Sequence, residues 1–197
     1  MATSDVDICN GALILLGQAP ITSLDDNSDA ARTMTQLYTT TLRAKLREAV
    51  WNFTQLRASL VEVSATPAWG PAHQFQLPQD PYCLRIIETN LDEDEPWRIE
   101  SYVTDSAKYR VIVTDAANVS ILYIGLVTDV TLWDDAFALA MEQELAFRAC
   151  YALTRNGELT NALREEKKEQ WARAKSLNQQ EGRALKKILS DSLTIVR

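Results

Sequence analysis

The sequence has one histidine, three cysteines, and only six glycines and six prolines in 197 residues. Catalysis through a serine–histidine–aspartate or cysteine–histidine relay would have to use that one ring, His73. It falls in a proline-rich stretch, where a solvated or locally hydrogen-bonded ring is the plainer reading. CxxC, HExxH, GxSxG and Walker-type glycine loops are all missing, so zinc, nucleotides and other cofactors find no foothold. No catalytic, cofactor-binding or metal-ligating residue is assigned. Cys9, Cys83 and Cys150 are far apart and odd in number, which fits reduced thiols better than a disulfide framework. So few glycines and prolines exclude a fibrous or low-complexity chain. No apolar run approaches the roughly 20 residues that span a bilayer. The opening residues Met1-Ala-Thr-Ser-Asp-Val-Asp7 lack the basic segment of a secretory signal. The expectation is a protein made in the cytosol, or placed in particles assembled there.

Positive charge is also short: 20 lysines and arginines stand against 27 acids, a net charge of −7. Binding to nucleic-acid phosphates needs a basic face, which this balance does not promise. The deficit sits in the front of the chain. Residues 1–133 hold 17 acidic and 9 basic side chains, residues 134–197 hold 10 and 11.

What is present reads as helix, strand, helix. After the good N-caps Ser4 and Asp5, Val6, Cys9, Leu13 and Leu16 fall on one face, with Ile8, Ala12 and Leu15 widening it. Gly17 suits the position after a helix end, and Pro20 blocks a restart. A second helix begins near Asn27 or Ser28, with Asp29 in its first turn. Its stripe is Ala31, Met34, Tyr38, Leu42, Leu46, Ala49 or Val50, and Phe53, and Trp51 and Phe53 read as anchors. From Pro67 to Pro81 the breakers Pro67, Gly70, Pro71, Pro78 and Pro81 end helical texture. Strand-like runs follow at 84–88, 97–102, 109–114 and 119–126. Trp97 and Ile99 alternate with polar neighbours as in a half-buried strand, whereas 119–124 suggests burial on both faces. Trp133-Asp134-Asp135 then opens the most convincing core helix, with Phe137, Met141, Leu145, Ala149 and Leu153 recurring every four residues. Asn156-Gly157 ends it. A fourth, polar helix from about Glu158 to Gln180 carries a thin stripe of Leu159, Leu163, Trp171, Ala174 and Leu177, and needs a neighbour.

The expected fold is α+β: a helical bundle of about four main helices with an inserted antiparallel β-meander. Residues 1–66 form an N-terminal helical pair and 67–130 the β-insertion. Residues 131–182 form a C-terminal pair completing the bundle, and 183–197 a docking tail.

Three acidic clusters occur: Asp25-Asp26 with Asp29, Asp92-Glu-Asp-Glu95, and Asp134-Asp135. None has the glycine-centred spacing of a calcium loop, and they suit a connector, a hairpin tip and a helix start. In the fourth helix Arg164 and Lys168, and likewise Glu165 and Glu169, are like-charge pairs at i, i+4. Each is unfavourable by a few tenths of a kcal/mol. With Trp171 beside them, these five are candidate subunit–subunit residues, their charges answered by an adjacent copy.

One pattern is more specific. Ile8-Cys-Asn-Gly-Ala-Leu-Ile-Leu-Leu-Gly17 is followed by Ala19-Pro-Ile-Thr-Ser-Leu24, an acidic connector and Asp29-Ala-Ala-Arg32. The helix so begun ends at Trp51-Asn-Phe53, and Trp133-Asp-Asp-Ala-Phe137 comes later. This series resembles tail tubular protein A and related bacteriophage head-to-tail connector adaptors, over most of the chain and least across the β-region. The resemblance implies a virion protein of the tail connector, assembled in the host cytoplasm and not an enzyme. It implies a twelve-fold ring that binds the portal protein on one side and the tail nozzle on the other. DNA would pass through its lumen without specific contacts during ejection, with no membrane partner. An acidic lumen would repel phosphates rather than hold them. On this reading Leu185, Ile188, Leu189, Leu193, Ile195, Val196 and Arg197 are portal-binding candidates, and the acidic hairpin faces the tail. Two other classes stay open: a cell-wall-degrading tail-associated enzyme, and a helical DNA-binding or interaction module.

Overall fold

The structure is a computed structural model that describes residues 4–105 and 107–181. The portal-binding candidates at 185–197 lie outside those residues. Four helices enclose the β-region in sequence: α1 (Asp5–Leu15), α2 (Asp29–Glu48), α3 (Asp135–Thr154) and α4 (Gly157–Gln180). Between them run β1 (Gln55–Ser59), β2 (Val61–Glu62), β3 (His73–Gln76), β4 (Cys83–Thr89), β5 (Arg98–Val103), β6 (Lys108–Thr114) and β7 (Ser120–Gly125). The fold is α+β with antiparallel pairing throughout, as the texture of the sequence implied.

The helix starts follow from local chemistry. Ser4 caps α1 in a reciprocal box with Asp7, Ser28 accepts from the Ala31 amide, and Asp134 accepts from those of Ala136 and Phe137. Gly17, at φ +66°, takes the left-handed turn after α1 that a side chain would strain. Asn156 does not close α3. It is the N-cap of α4, accepting from the Glu158 and Leu159 amides, and Arg155 at φ 55° makes the corner between the two helices. The stripe of α2 is buried as expected through Leu46, but the helix stops at Glu48. Val50 is left exposed, and Phe53 falls in the short 3-10 turn Asn52–Thr54 that leads into β1.

The strands divide into two sheets, ordered β1-β7-β4 and β2-β3-β6-β5, so the pairing is not sequential beyond the β2–β3 and β5–β6 hairpins. β1 and β2 fall within the segment read as the N-terminal helical pair. β7 lies at the centre of the first sheet, and its two faces serve different cores. Ile124 packs with Leu84 into the helical core, beside Met34, Leu42, Phe137 and Met141. Ile121 and Tyr123 face the second sheet, packing with Phe75, Leu77, Cys83 and Ile112. That is the two-sided burial read from residues 119–124. By contrast β5 is an edge strand exposed along most of its length, with Ile99 41% exposed and Trp97 just ahead of it 40% exposed. The half-buried strand expected at 97–100 is therefore not found: Trp97 precedes the strand, and residues 97–101 are all exposed among the described residues, because β5 is paired on one side only.

Candidate functional site

The polar residue most thoroughly enclosed by charge is Glu144, in the middle of the apolar helix α3. Its side chain is 2% exposed. Four groups on three helices converge on it. Arg148 donates from Nε at 2.8 Å, Lys45 of α2 and Lys167 of α4 place their ammonium groups 3.3 Å away, and Trp171 donates from Nε1 at 3.1 Å. Burial alone would raise this carboxyl. The Arg148 hydrogen bond and the charges of Lys45, Lys167 and Arg148 outweigh burial and lower the group to about 2. Both oxygens are satisfied from within the chain, so the cluster ties α2, α3 and α4 together and presents no reacting group.

An aromatic joint lies against this cluster. Phe137 has the rings of Trp51, Phe53, Trp133 and Trp171 around it, with centroids at 4.9, 5.1, 5.1 and 5.5 Å. Trp51 donates to the Lys45 carbonyl and Trp133 to the Val127 carbonyl, so the buried indoles keep their N–H groups paired. In α1 the Asn10 amide bonds the backbone of Ile21 in both directions, at 3.0 and 2.8 Å. That clamp folds the connector after α1 back onto the helix.

Of the residues proposed to meet a second copy, Trp171 is occupied within its own chain, 7% exposed in the aromatic joint. Arg164, Glu165, Lys168 and Glu169 are exposed on α4. Lys168 pairs with Glu165 at 2.8 Å, an i, i+3 contact, and Arg164 lies over the Phe147 ring at 5.8 Å. Part of the charge therefore finds partners on the helix bearing it and on α3. Beside them runs a ridge on α3 of Leu139, Gln143, Phe147 and Tyr151. Leu139 and Tyr151 are 52% and 60% exposed, and Gln143 Oε1 is buried without a hydrogen-bond partner.

His73 begins β3 rather than lying in a loop, and its Nδ1 is 2.6 Å from Glu62 Oε1 on the neighbouring strand. The acidic clusters have local work. Asp26 accepts from the backbone of Thr22 and Ser23 and from the Thr22 hydroxyl, which holds its carboxyl below the usual range. Asp29 pairs with Arg32 at 2.6 Å, and Asp134 caps α3. Glu95 accepts from the Thr114 hydroxyl and the Asp115 amide, fixing one side of the 92–95 turn. Among the described residues no group of histidine, cysteine and acidic side chains is arranged to hold a metal ion. No described helix is long and apolar enough to cross a membrane. All three cysteines are buried and free, and burial, then the charge of Asp5, pushes the Cys9 thiol up to about 12.

Glu144 escaped the sequence reading, although a signal was there. It stands seven residues after Phe137 and three after Met141, on the buried face of the best stripe in the chain. A charged residue at such a position has to be paired. No protein-family model matches this chain, and no curated protein matches it.

Proposed function

We propose that this protein is the structural adaptor subunit of a phage head-to-tail connector, a ring that joins portal to tail nozzle and gives DNA a passage. One observation carries the reading. The two aromatic blocks of the resemblance, Trp51-Asn-Phe53 and Trp133-Asp-Asp-Ala-Phe137, lie some 80 residues apart and meet in one joint around Phe137. The smaller blocks have matching roles: Asn10 clamps Ile21, and Asp29 pairs with Arg32. The pattern is thus a set of residues that depend on one another in one bundle. The exposed ridge on α3 and the open edge of β5 add apolar surface of the kind a ring subunit covers on assembly.

Negative-stain microscopy of the protein mixed with the purified portal of its phage tests this reading. Rings stacked coaxially on the portal, with twelve-fold symmetry in class averages, are the expected result. Protein that stays unbound and scattered at high concentration would overturn it.

A further inference from the structure

One surface cavity has a chemistry that an acidic protein would not be expected to leave open. It measures about 260 Å³ and lies between the free end of the β5–β6 hairpin and the 77–82 connector. Gln79, Tyr82, Ser101, Lys108, Tyr109 and Arg110 line it, with no carboxylate among its walls. Of the two cations in its walls, Arg110 is held by a ring and a backbone carbonyl. Arg110 lies over the Tyr82 ring at 4.9 Å, Arg43 of α2 lies over the same ring at 4.7 Å, and Arg110 Nη2 donates to the Cys83 carbonyl. Arg110 Nε is buried and makes no hydrogen bond. Among the described residues Arg43, Lys108 and Arg110 form no salt bridge, although Asp80 and Asp105 are near in sequence.

The matching acids are on the same chain but at the wrong end. The 92–95 turn leads toward β5 at the pole where Glu95 bonds Thr114, and Asp92 and Asp94 are exposed on it. Lys108 begins β6 and Thr114 ends it. Six steps of antiparallel strand separate them, about 20 Å. A chain therefore cannot fill its own cavity with its own acidic turn, whereas a second copy placed head to tail can.

We infer that the Asp92–Asp94 turn of one copy docks in the Lys108–Arg110 cavity of the next, a contact between copies in place of the tail-facing position that the resemblance implied for this acidic turn. Such a contact joins two different surfaces, so each copy leaves one donor and one acceptor free, and repetition builds a ring when the rotation closes. The inference deepens the connector reading and rests on it for the ring, but the contact itself can be measured without a portal.

Sedimentation velocity of the full chain at low salt is the test, comparing the wild type with Lys108→Glu, Asp94→Lys and the double variant. Both side chains are exposed, so unchanged thermal unfolding checks that each variant folds. The wild type should self-associate, and added salt should weaken it. Each single variant should associate at least about tenfold more weakly, and the double variant should recover. A wild type that stays monomeric at every concentration, single variants that associate like the wild type, or a double variant that fails to recover would each overturn the contact. Portal-stacked rings that form equally well with Lys108→Glu would sink the contact and spare the connector reading. Charge-dependent self-association without rings on the portal would do the reverse.

Discussion

At the scale of single residues, Glu144 decides how the bundle responds to acid. Its carboxylate is buried among three cations, and removing one partner of such a cluster costs more than the cluster contributes. Glu144→Gln keeps the shape but leaves Lys45, Lys167 and Arg148 around a neutral amide. It should lower stability by about 3 kcal/mol, measured by urea unfolding at neutral pH. The pH dependence has a definite sign. Folding lowers this carboxyl from an ordinary 4.5 to about 2. Its contribution is therefore fully present above pH 4.5 and lost as the pH falls from there toward 2. On the order of 3 kcal/mol should disappear across that window in the wild type. In Glu144→Gln that part of the acid sensitivity should be missing. Parallel acid profiles for the two proteins would show that the cluster is not held as described.

At the scale of elements, the caps and stripes of the helices were legible and the way α4 docks was not. Ser4, Ser28 and Asp134 announce helix starts because each side-chain oxygen meets an amide that the helix leaves unpaired. On α4 the apolar stripe pointed to Leu177, which is 38% exposed, while its neighbour Asn178 is buried. Asn178 Oδ1 accepts from the Asn52 amide at 2.8 Å and its Nδ2 donates to the Val50 carbonyl, while Asn52 Nδ2 donates back to the Asn178 carbonyl at 2.7 Å. A latch made of amides has no periodic signature, since its partners are backbone groups 126–128 residues away. The same reason hid β1 and β2, whose strand character comes from pairing with β7 and β3. Asn178→Ala removes two part-buried hydrogen bonds, to the Asn52 amide and the Val50 carbonyl. It should cost about 1 kcal/mol and loosen the last turns of α4 first. Amide hydrogen exchange reads this directly. Faster exchange near residues 170–180, with α3 unchanged, is expected, and unchanged exchange there would refute the latch.

For the whole molecule, the question is whether the β-region is a passenger on the bundle or part of it. Read along the chain, it is an insertion between two helical pairs, because breakers and strand texture begin and end it. In space its first sheet is a shared wall. Ile124 is fully buried on the helical side, and two residues of the same strand, Ile121 and Tyr123, are 3% exposed on the other. Arg47 of α2 also donates to the Leu84 carbonyl of β4 at 2.7 Å, so helix and sheet are joined by polar contacts as well. A strand that belongs to two cores cannot leave one without disturbing the other, which predicts a single cooperative transition. Ile121→Ala tests this, because its cavity opens wholly between the two sheets. The loss of about 2–4 kcal/mol should appear equally in the helical far-ultraviolet signal and in the fluorescence of the buried tryptophans Trp51, Trp133 and Trp171. A separately folding insertion would give a different result: a low-temperature step that leaves helix content and those indoles untouched. The distinction reaches the proposed contact, since the cavity of Lys108 and Arg110 is lined by β5, β6 and the 77–82 connector, while Arg43 of α2 packs on the ring of its Tyr82 wall. In a single cooperative body, Ile121→Ala at temperatures below its transition should leave self-association intact. Within the transition, association and helix content should fall together.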